Sequence, residues 1–187
     1  MDSGAGPGVS SRILLEDKFE NVVAIDPSIR LLRFARSRIG REFNPIVGVA
    51  ENLPFRTGSL GAVITCFALR DVVSLDRSLD EFARATRRGG ALAIVDIGKP
   101  DSGFWRAVIG FYILHGMPVL ARFWICGRNR GNPFKMIIPT WKKLRTNNQV
   151  SDLIERSFGT CALKSFFFGG LVVFEADRVS LWKDILQ

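Results

Sequence analysis

Four short apolar runs alternate with amphipathic stretches across the first hundred residues, and this alternation is the strongest constraint on the fold. Asn21–Ile25 (NVVAI), Pro45–Val49 (PIVGV), Leu60–Phe67 (LGAVITCF) and Ala91–Ile97 (ALAIVDI) read as strands. Such unbroken apolar runs must be covered on both faces, which is the condition of a parallel sheet wrapped by helices. Between the first two, PSIRLLRFARSRIG carries Ile29, Leu32, Phe34, Ala35 and Ile39 near helical spacing, with arginines opposite. SLDRSLDEFARATR gives a second helix, and the RRGG after it reads as a basic last turn with a glycine stop. With 187 residues and 47% hydrophobic content, the chain suits one domain with a sizeable core.

After Lys99-Pro100 the composition changes, which divides the expected domain into residues 1–100, 101–150 and 151–187. The middle part opens on GFWRAVIGFYILHGMPVLARFWICG, aromatic and aliphatic but punctuated by arginines. Its uncharged stretch between Arg106 and Arg122 is shorter than the ~20 residues a spanning helix needs, so a transmembrane helix is rejected. Two readings stand: a helical insert on the sheet edge, or an apolar lid that touches lipid or admits a greasy substrate. In the last part VSDLIERSF reads as a helix, and CALKSFFFGGLVVFEAD splits at Gly169-Gly170 into a β-hairpin.

Charge and reactive side chains narrow the chemistry. A net charge of +8 favours anionic partners, and Arg106, Arg122, Arg128 and Arg130 flank the apolar lid as they would at an anionic leaflet. The arginines are scattered and not interleaved with aromatics in an RNA-binding motif, so nucleic acid is not expected. Cys66, Cys126 and Cys161 lie far apart with no CxxC pair, which argues against a disulfide framework or zinc site and for a reducing, cytoplasmic setting. His115 is the sole histidine, so no mechanism or metal site needing two imidazoles is expected, and without a GxSxG elbow a Ser-His-Asp hydrolase is not expected either.

The chain opens on DSGAGPGVSSRILL, a glycine-rich turn running into a helix. Glycines at alternate positions permit positive φ and let a ligand approach the backbone. A dinucleotide fingerprint would place its third glycine at position 9; Val9 stands there, and Gly8 comes one residue early. The loop therefore fits a nucleoside better than a pyrophosphate. About twenty residues on, Asp26 ends the next strand, where a carboxylate either accepts from both ribose hydroxyls or caps the helix that follows.

DSGAGPG, VVAIDPS, GVAENLPF, CFALRDV and RRGGALAIVDIGKP, in that order, resemble the successive motifs of class I S-adenosylmethionine-dependent methyltransferases. AENLPF, FALRDV and the KP pair resemble, more narrowly, the ubiquinone/menaquinone biosynthesis C-methyltransferases. The resemblance covers residues 2–100 and continues faintly through FYILHGMPVLARF and GGLVVFEA. It implies a Rossmann-like, mostly parallel α/β sheet with helices on both faces and a C-terminal antiparallel hairpin, holding S-adenosylmethionine. By the same resemblance Gly4, Gly6 and Pro7 wrap the methionine moiety and Asp26 holds the ribose. Val49 and Ala50 flank the adenine with Glu51 beside it, and Cys66 faces the sulfonium. Arg70 and Asp71 stand where that family carries Arg-Asn near the substrate ring. This implies Asp71 as base and Arg70 as phenolate partner, with Tyr112 and His115 as weaker candidates. Val49 replaces a usual Asp or Asn, Gly61 a usual Asp, and Asp71 a usual Asn.

The expected acceptor is a quinol or related phenolic lipid, met by a protein peripheral to the inner face of the membrane. A methyltransferase for another small molecule and a non-catalytic remnant remain the alternatives, and homo-oligomerisation stays open. In such a fold a strand precedes the glycine loop, and only Met1 precedes it here, so an N-terminally truncated chain is expected. The other explanation is a gap in the sheet flanked by two exposed edges.

Overall fold

The computed structural model describes residues 1–117, 119 and 137–179. Seven strands form one sheet in the order β3-β2-β1-β4-β5-β7-β6. They are β1 Asp2–Ser3, β2 Val23–Asp26, β3 Asn44–Val47, β4 Leu60–Cys66, β5 Thr86–Ile97, β6 Ala162–Phe166 and β7 Leu171–Asp177. β1 to β5 run parallel, and β7 pairs antiparallel with both β5 and β6. The helices are α1 Val9–Glu16, α2 Ile29–Ile39, α3 Leu75–Ala85, α4 Gly103–Phe111, α5 Ile137–Lys143 and α6 Asn147–Phe158. From β1 the chain adds β2 and β3 on one side and β4 and β5 on the other, and at the switch point between β1 and β4 the C-terminal ends of the parallel strands open into a crevice.

The sheet centre is not a gap. Asp2 and Ser3 pair with Ala24 and Ile25 on one side and with Ile64 and Thr65 on the other. β1 is thus two residues long beside the four of β2 and the seven of β4. Its Asp2 side chain is fully buried, and one carboxylate oxygen accepts from the hydroxyls of Ser10 and Ser11 at 2.6 Å each. The other oxygen has no hydrogen-bond partner among the described residues. Burial therefore raises the Asp2 pKa, with the two serine bonds opposing.

The larger core lies between the sheet and α3 with α6. Val63, Leu92, Ile94, Val172 and Phe174 meet Leu79 and Phe82 of α3 and Val150, Ile154 and Phe158 of α6. A smaller cluster of Ala5, Ala24, Leu32, Ala35 and Phe43 seals α2 on the opposite face. Phe82 and Phe174 are each about 98% removed from solvent, a burial that stabilises by roughly 1.5–3 kcal/mol per ring.

RRGG is the clearest correction to the sequence reading. α3 stops at Ala85, and Thr86–Gly90 begin β5. Thr86 pairs with Leu60, and a register shift follows before Ala62 meets Ala91. A Cβ on Gly90 would stand 2.6 Å from the Gly61 carbonyl, so this glycine serves a bulge between strands and not a helix end. β2 starts two residues later than expected because Asn21 is left-handed (φ 57°) in the turn before it. The helix expected at 150–158 starts at Asn147, where Thr146 and Gln149 form a capping box. The hairpin stands as expected, with Phe167–Gly169 turning between β6 and β7.

Candidate functional site

The C-terminal ends of β1, β2 and β4 surround an open cleft of about 790 Å³. Its floor is the glycine loop. Gly4 and Ala5 both donate to the Ile25 carbonyl, at 2.8 and 3.1 Å, which ties the loop to the end of β2. Gly4 has φ 71°, and a Cβ there would overlap the Cβ of Ala68. Gly6 has φ 52°, but nothing stands closer than 3.9 Å to the place of its absent Cβ. One glycine thus lets two loops close against each other, and the other leaves room above the backbone.

Asp26 turns back onto this loop. One carboxylate oxygen accepts from Gly6 N at 2.9 Å and the other from Ser28 N at 2.8 Å. The helix cap is Ser28, whose hydroxyl accepts from Leu31 N at 3.4 Å. Each Asp26 oxygen keeps a further lone pair, and the residue is 8% exposed at the cleft wall. A carboxylate so held can accept two hydroxyls of a ribose without moving.

Val49, Ala50 and Glu51 form the second wall. The Glu51 carboxylate accepts from Val73 N at 2.6 Å and Ser74 N at 3.2 Å, latching the loop after β3 to the start of α3. The next loop is clamped too. Glu81 accepts from Leu53 N, while Arg84 donates to the carbonyls of Leu53 and Phe55 and to Glu81 itself. Arg84 holds the Glu81 carboxyl below its usual range.

Cys66 ends β4 in the third wall, and burial pushes its thiol pKa up, so it faces the cleft as a neutral thiol. Phe67 follows with φ 56°, an uncommon backbone for a bulky side chain. Two hydrogen bonds hold it there: Phe67 N donates to the Val95 carbonyl at 2.7 Å, and the Phe67 carbonyl accepts from Arg70 at 2.7 Å.

The structure gives Arg70 and Asp71 different surroundings although they remain paired at 3.7 Å. The Arg70 guanidinium pairs with Asp96 of β5 at 2.7 Å, and the Asp96 carboxylate also accepts from Ile97 N at 2.7 Å and Arg70 N at 3.3 Å. Asp96 is 2% exposed, and burial raises its pKa more than the guanidinium lowers it. Arg70 does not line the cleft, whereas Asp71 does, half-exposed and 3.7 Å from Arg70. The expected phenolate partner is committed to a buried carboxylate. Gly4, Gly6, Pro7, Asp26, Val49, Ala50, Glu51 and Cys66 all face the one cleft. Tyr112 and His115 do not; they lie in the π-helical turn Tyr112–Gly116, where the His115 ring rests 4.8 Å from Phe111. Arg122, Arg128, Arg130 and Cys126 lie outside the described residues.

Sequence reasoning missed Asp96 and the Phe67 turn. A single acid inside the apolar run ALAIVDI was the available signal, because a buried carboxylate needs a partner. The role of the KP pair was missed as well. Lys99 Nζ donates to the carbonyls of Lys142 and Leu144, capping α5, and Trp141 donates its indole N–H to the Gly98 carbonyl.

Residues 1–94 match the family model described as a methyltransferase domain. The chain is 35% identical over 121 residues to a demethylmenaquinone methyltransferase of Paenarthrobacter aurescens, covering 65% of this chain and 47% of that protein. It is 28% identical over 171 residues to a ubiquinone/menaquinone biosynthesis C-methyltransferase of Campylobacter jejuni, covering 90% and 71%. The chain spans about half the length of the curated relatives it matches at higher identity. A Haemonchus contortus phosphoethanolamine N-methyltransferase, solved in complex with S-adenosyl-L-methionine, shares the fold with a TM-score of 0.69 at 13% identity. That match covers 96% of this chain and 48% of the other.

Proposed function

Because the chain belongs to the methyltransferase-domain family, we propose that it moves a methyl group from S-adenosylmethionine to a ring carbon of a quinol or related phenolic lipid. The observation that carries the reading is the Gly6–Asp26 hydrogen bond, which brings the glycine loop and an acid with spare acceptor capacity to one cleft. The residues fit that donor: space is open above Gly6, and the Asp26 oxygens are placed for ribose hydroxyls. When bound, S-adenosylmethionine supplies an electrophilic methyl on a sulfonium, so the protein has mainly to align the nucleophile with it.

Asp26 would hold the ribose and the Val49–Ala50 wall the adenine. Glu51 serves by fixing that wall to α3, one of its carboxylate oxygens accepting from both Val73 N and Ser74 N. Cys66 presents a small neutral surface beside the reacting centre. Asp71, on the cleft wall, would take the proton of the acceptor phenol, which makes the ring carbon nucleophilic; the hydrogen on that carbon then leaves as a proton to water in the open cleft and the aromatic ring is restored. Arg70 acts through others: it holds the Phe67 carbonyl and Asp96, and so fixes the turn that carries Asp71. The names of the relatives, demethylmenaquinone methyltransferase among them, support a quinol over other phenols.

The test is transfer of labelled methyl to a demethylated quinol, a soluble phenol and an amine in parallel. Label in the quinol, reduced roughly 10²–10⁴-fold by Asp71→Asn, is the expected result. Transfer to the soluble phenol or amine but not to the quinol would overturn the acceptor class, and no transfer to any would overturn the activity.

A further inference from the structure

The exterior of α4 is inverted relative to an ordinary surface helix. None of its nine residues is buried, and Phe104, Val108 and Phe111 recur at helical spacing on one exposed stripe. Phe104 is 69% and Phe111 68% exposed. The β6–β7 turn adds Phe167 and Phe168, 75% and 66% exposed. Phe168 stacks on Trp105 of α4 with ring centroids 3.7 Å apart, and a Cβ on Gly170 would touch Ile109, so turn and helix form one knuckle. Both phenylalanines of the turn have left-handed backbones (φ 50° and 56°). Bulky residues held there in solvent are strained, and a function has to compensate for it.

Charge identifies what this knuckle meets. From Ser102 to Val150 the sequence holds eight Lys and Arg and no Asp or Glu. Outside that segment 18 basic residues stand against all 18 acidic ones, so the entire net charge of +8 sits in the stretch that carries α4 and α5. Asp101, just before it, accepts from Asn148 N. Arg145 is paired with Asp76 at 2.8 Å, while α4 and α5 themselves carry Arg106, Lys142 and Lys143 and no Asp or Glu. An exposed aromatic stripe on helices of that charge complements an anionic lipid headgroup layer over an apolar interior.

Topology places the knuckle on the same edge as the cleft. Ile97 at the end of β5 pairs with Leu171 at the start of β7, so the β6–β7 turn lies at the C-terminal edge of the parallel strands. α5 packs against both the Leu69–Asp71 turn of the cleft wall and the Tyr112–Gly116 turn beyond α4. Among the described residues no helix is long and apolar enough to cross a membrane, so contact through this surface is interfacial.

We infer that α4 and the Phe167–Gly169 turn form a docking surface for an anionic lipid bilayer, with the aromatic knuckle inserted below the headgroups and the cleft mouth facing the membrane. The inference stands on exposure and charge, independently of the acceptor named above. It is tested by flotation of the full chain with vesicles of phosphatidylcholine alone or mixed with phosphatidylglycerol, and by Trp105 fluorescence with brominated lipids. The chain should float with the mixed vesicles and release with salt. Brominated chains should quench part of the emission of the four tryptophans, and Trp105→Phe should remove part of that quenching. The variant Phe104→Ser/Phe111→Ser/Phe167→Asn changes exposed side chains outside the cleft, and Asn tolerates the left-handed backbone of the turn. It should float at least about tenfold less while keeping its circular dichroism and its S-adenosylmethionine affinity. The inference falls if the variant floats as well as the parent, if no vesicle binds the parent, or if the same substitutions dissociate a dimer that does not bind vesicles. Calorimetry with S-adenosylmethionine alone reads the methyl-donor site separately.

Discussion

Replacing Arg70 by Leu isolates what the Arg70–Asp96 pair does. The substitution leaves the Asp96 carboxylate 2% exposed, with backbone N–H groups of Ile97 and Arg70 as its remaining donors. Removing one partner of a buried pair costs about 3–5 kcal/mol when the other charge is stranded. Two retained donors, and the 13% exposure of the Arg70 side chain through which water can follow, reduce this to about 2–4 kcal/mol. At a urea slope near 2 kcal/mol/M, the unfolding midpoint should fall by roughly 1–2 M. The double variant Arg70→Leu/Asp96→Leu removes both charges and should be more stable than Arg70→Leu alone. Turnover of Arg70→Leu, measured where it is still folded, should fall through a displaced Phe67–Asp71 turn. If Arg70→Leu keeps its stability and loses only kcat, Arg70 is a group that touches substrate and the assignment here is wrong.

Two further perturbations test the loops. Gly4→Ala should cost about 2–4 kcal/mol, from a left-handed alanine and from overlap with the Ala68 methyl; Ala68→Gly should recover the overlap part, about 1–2 kcal/mol, by urea unfolding. Strict additivity of the two would refute the contact. The raised pKa of Asp2 means its protonated form is favoured in the fold, so that contribution is present at low pH and fades as pH rises through the folded value. Asp96 has the same sign, and Glu81 the opposite sign below its ordinary 4.5. Above that value these two carboxyls raise the melting temperature as pH falls, the buried Met1 ammonium with its lowered pKa opposes them, and Asp2→Asn should remove the Asp2 part of the slope; an unchanged slope would contradict the burial of an ionised Asp2.

The sheet and the cleft were legible because their signals are local. A buried parallel strand announces itself as an apolar run, and Gly4, Gly6 and Asp26 carry their conformational and hydrogen-bonding requirements in their residue types. What stayed hidden depends on pairing between distant segments. RRGG has the composition of a helix stop, and only the approach of Gly90 to Gly61 makes it a bulged strand. Arg70 looks like a catalytic cation until Asp96, 26 residues on, claims it. Glu51 likewise looks like a ligand group, but one of its oxygens accepts from both Val73 N and Ser74 N and ties its loop to α3. For the segment that opens on α4, composition left both an insert and a lipid-touching lid open, and the turn phenylalanines were read as strand, because side chains left in solvent have the same composition as side chains buried in a core.

Calorimetric titration of S-adenosylmethionine, adenosine and methionine into the chain and into Asp26→Asn tests the central arrangement most directly. The amide keeps the size of the carboxylate but loses its charge and one acceptor, so the two adenosine-containing ligands should bind about 10–100-fold more weakly while methionine is unaffected. Equal affinity for S-adenosylmethionine in both proteins, or its failure to bind the parent, would contradict a nucleoside held between Gly6 and Asp26.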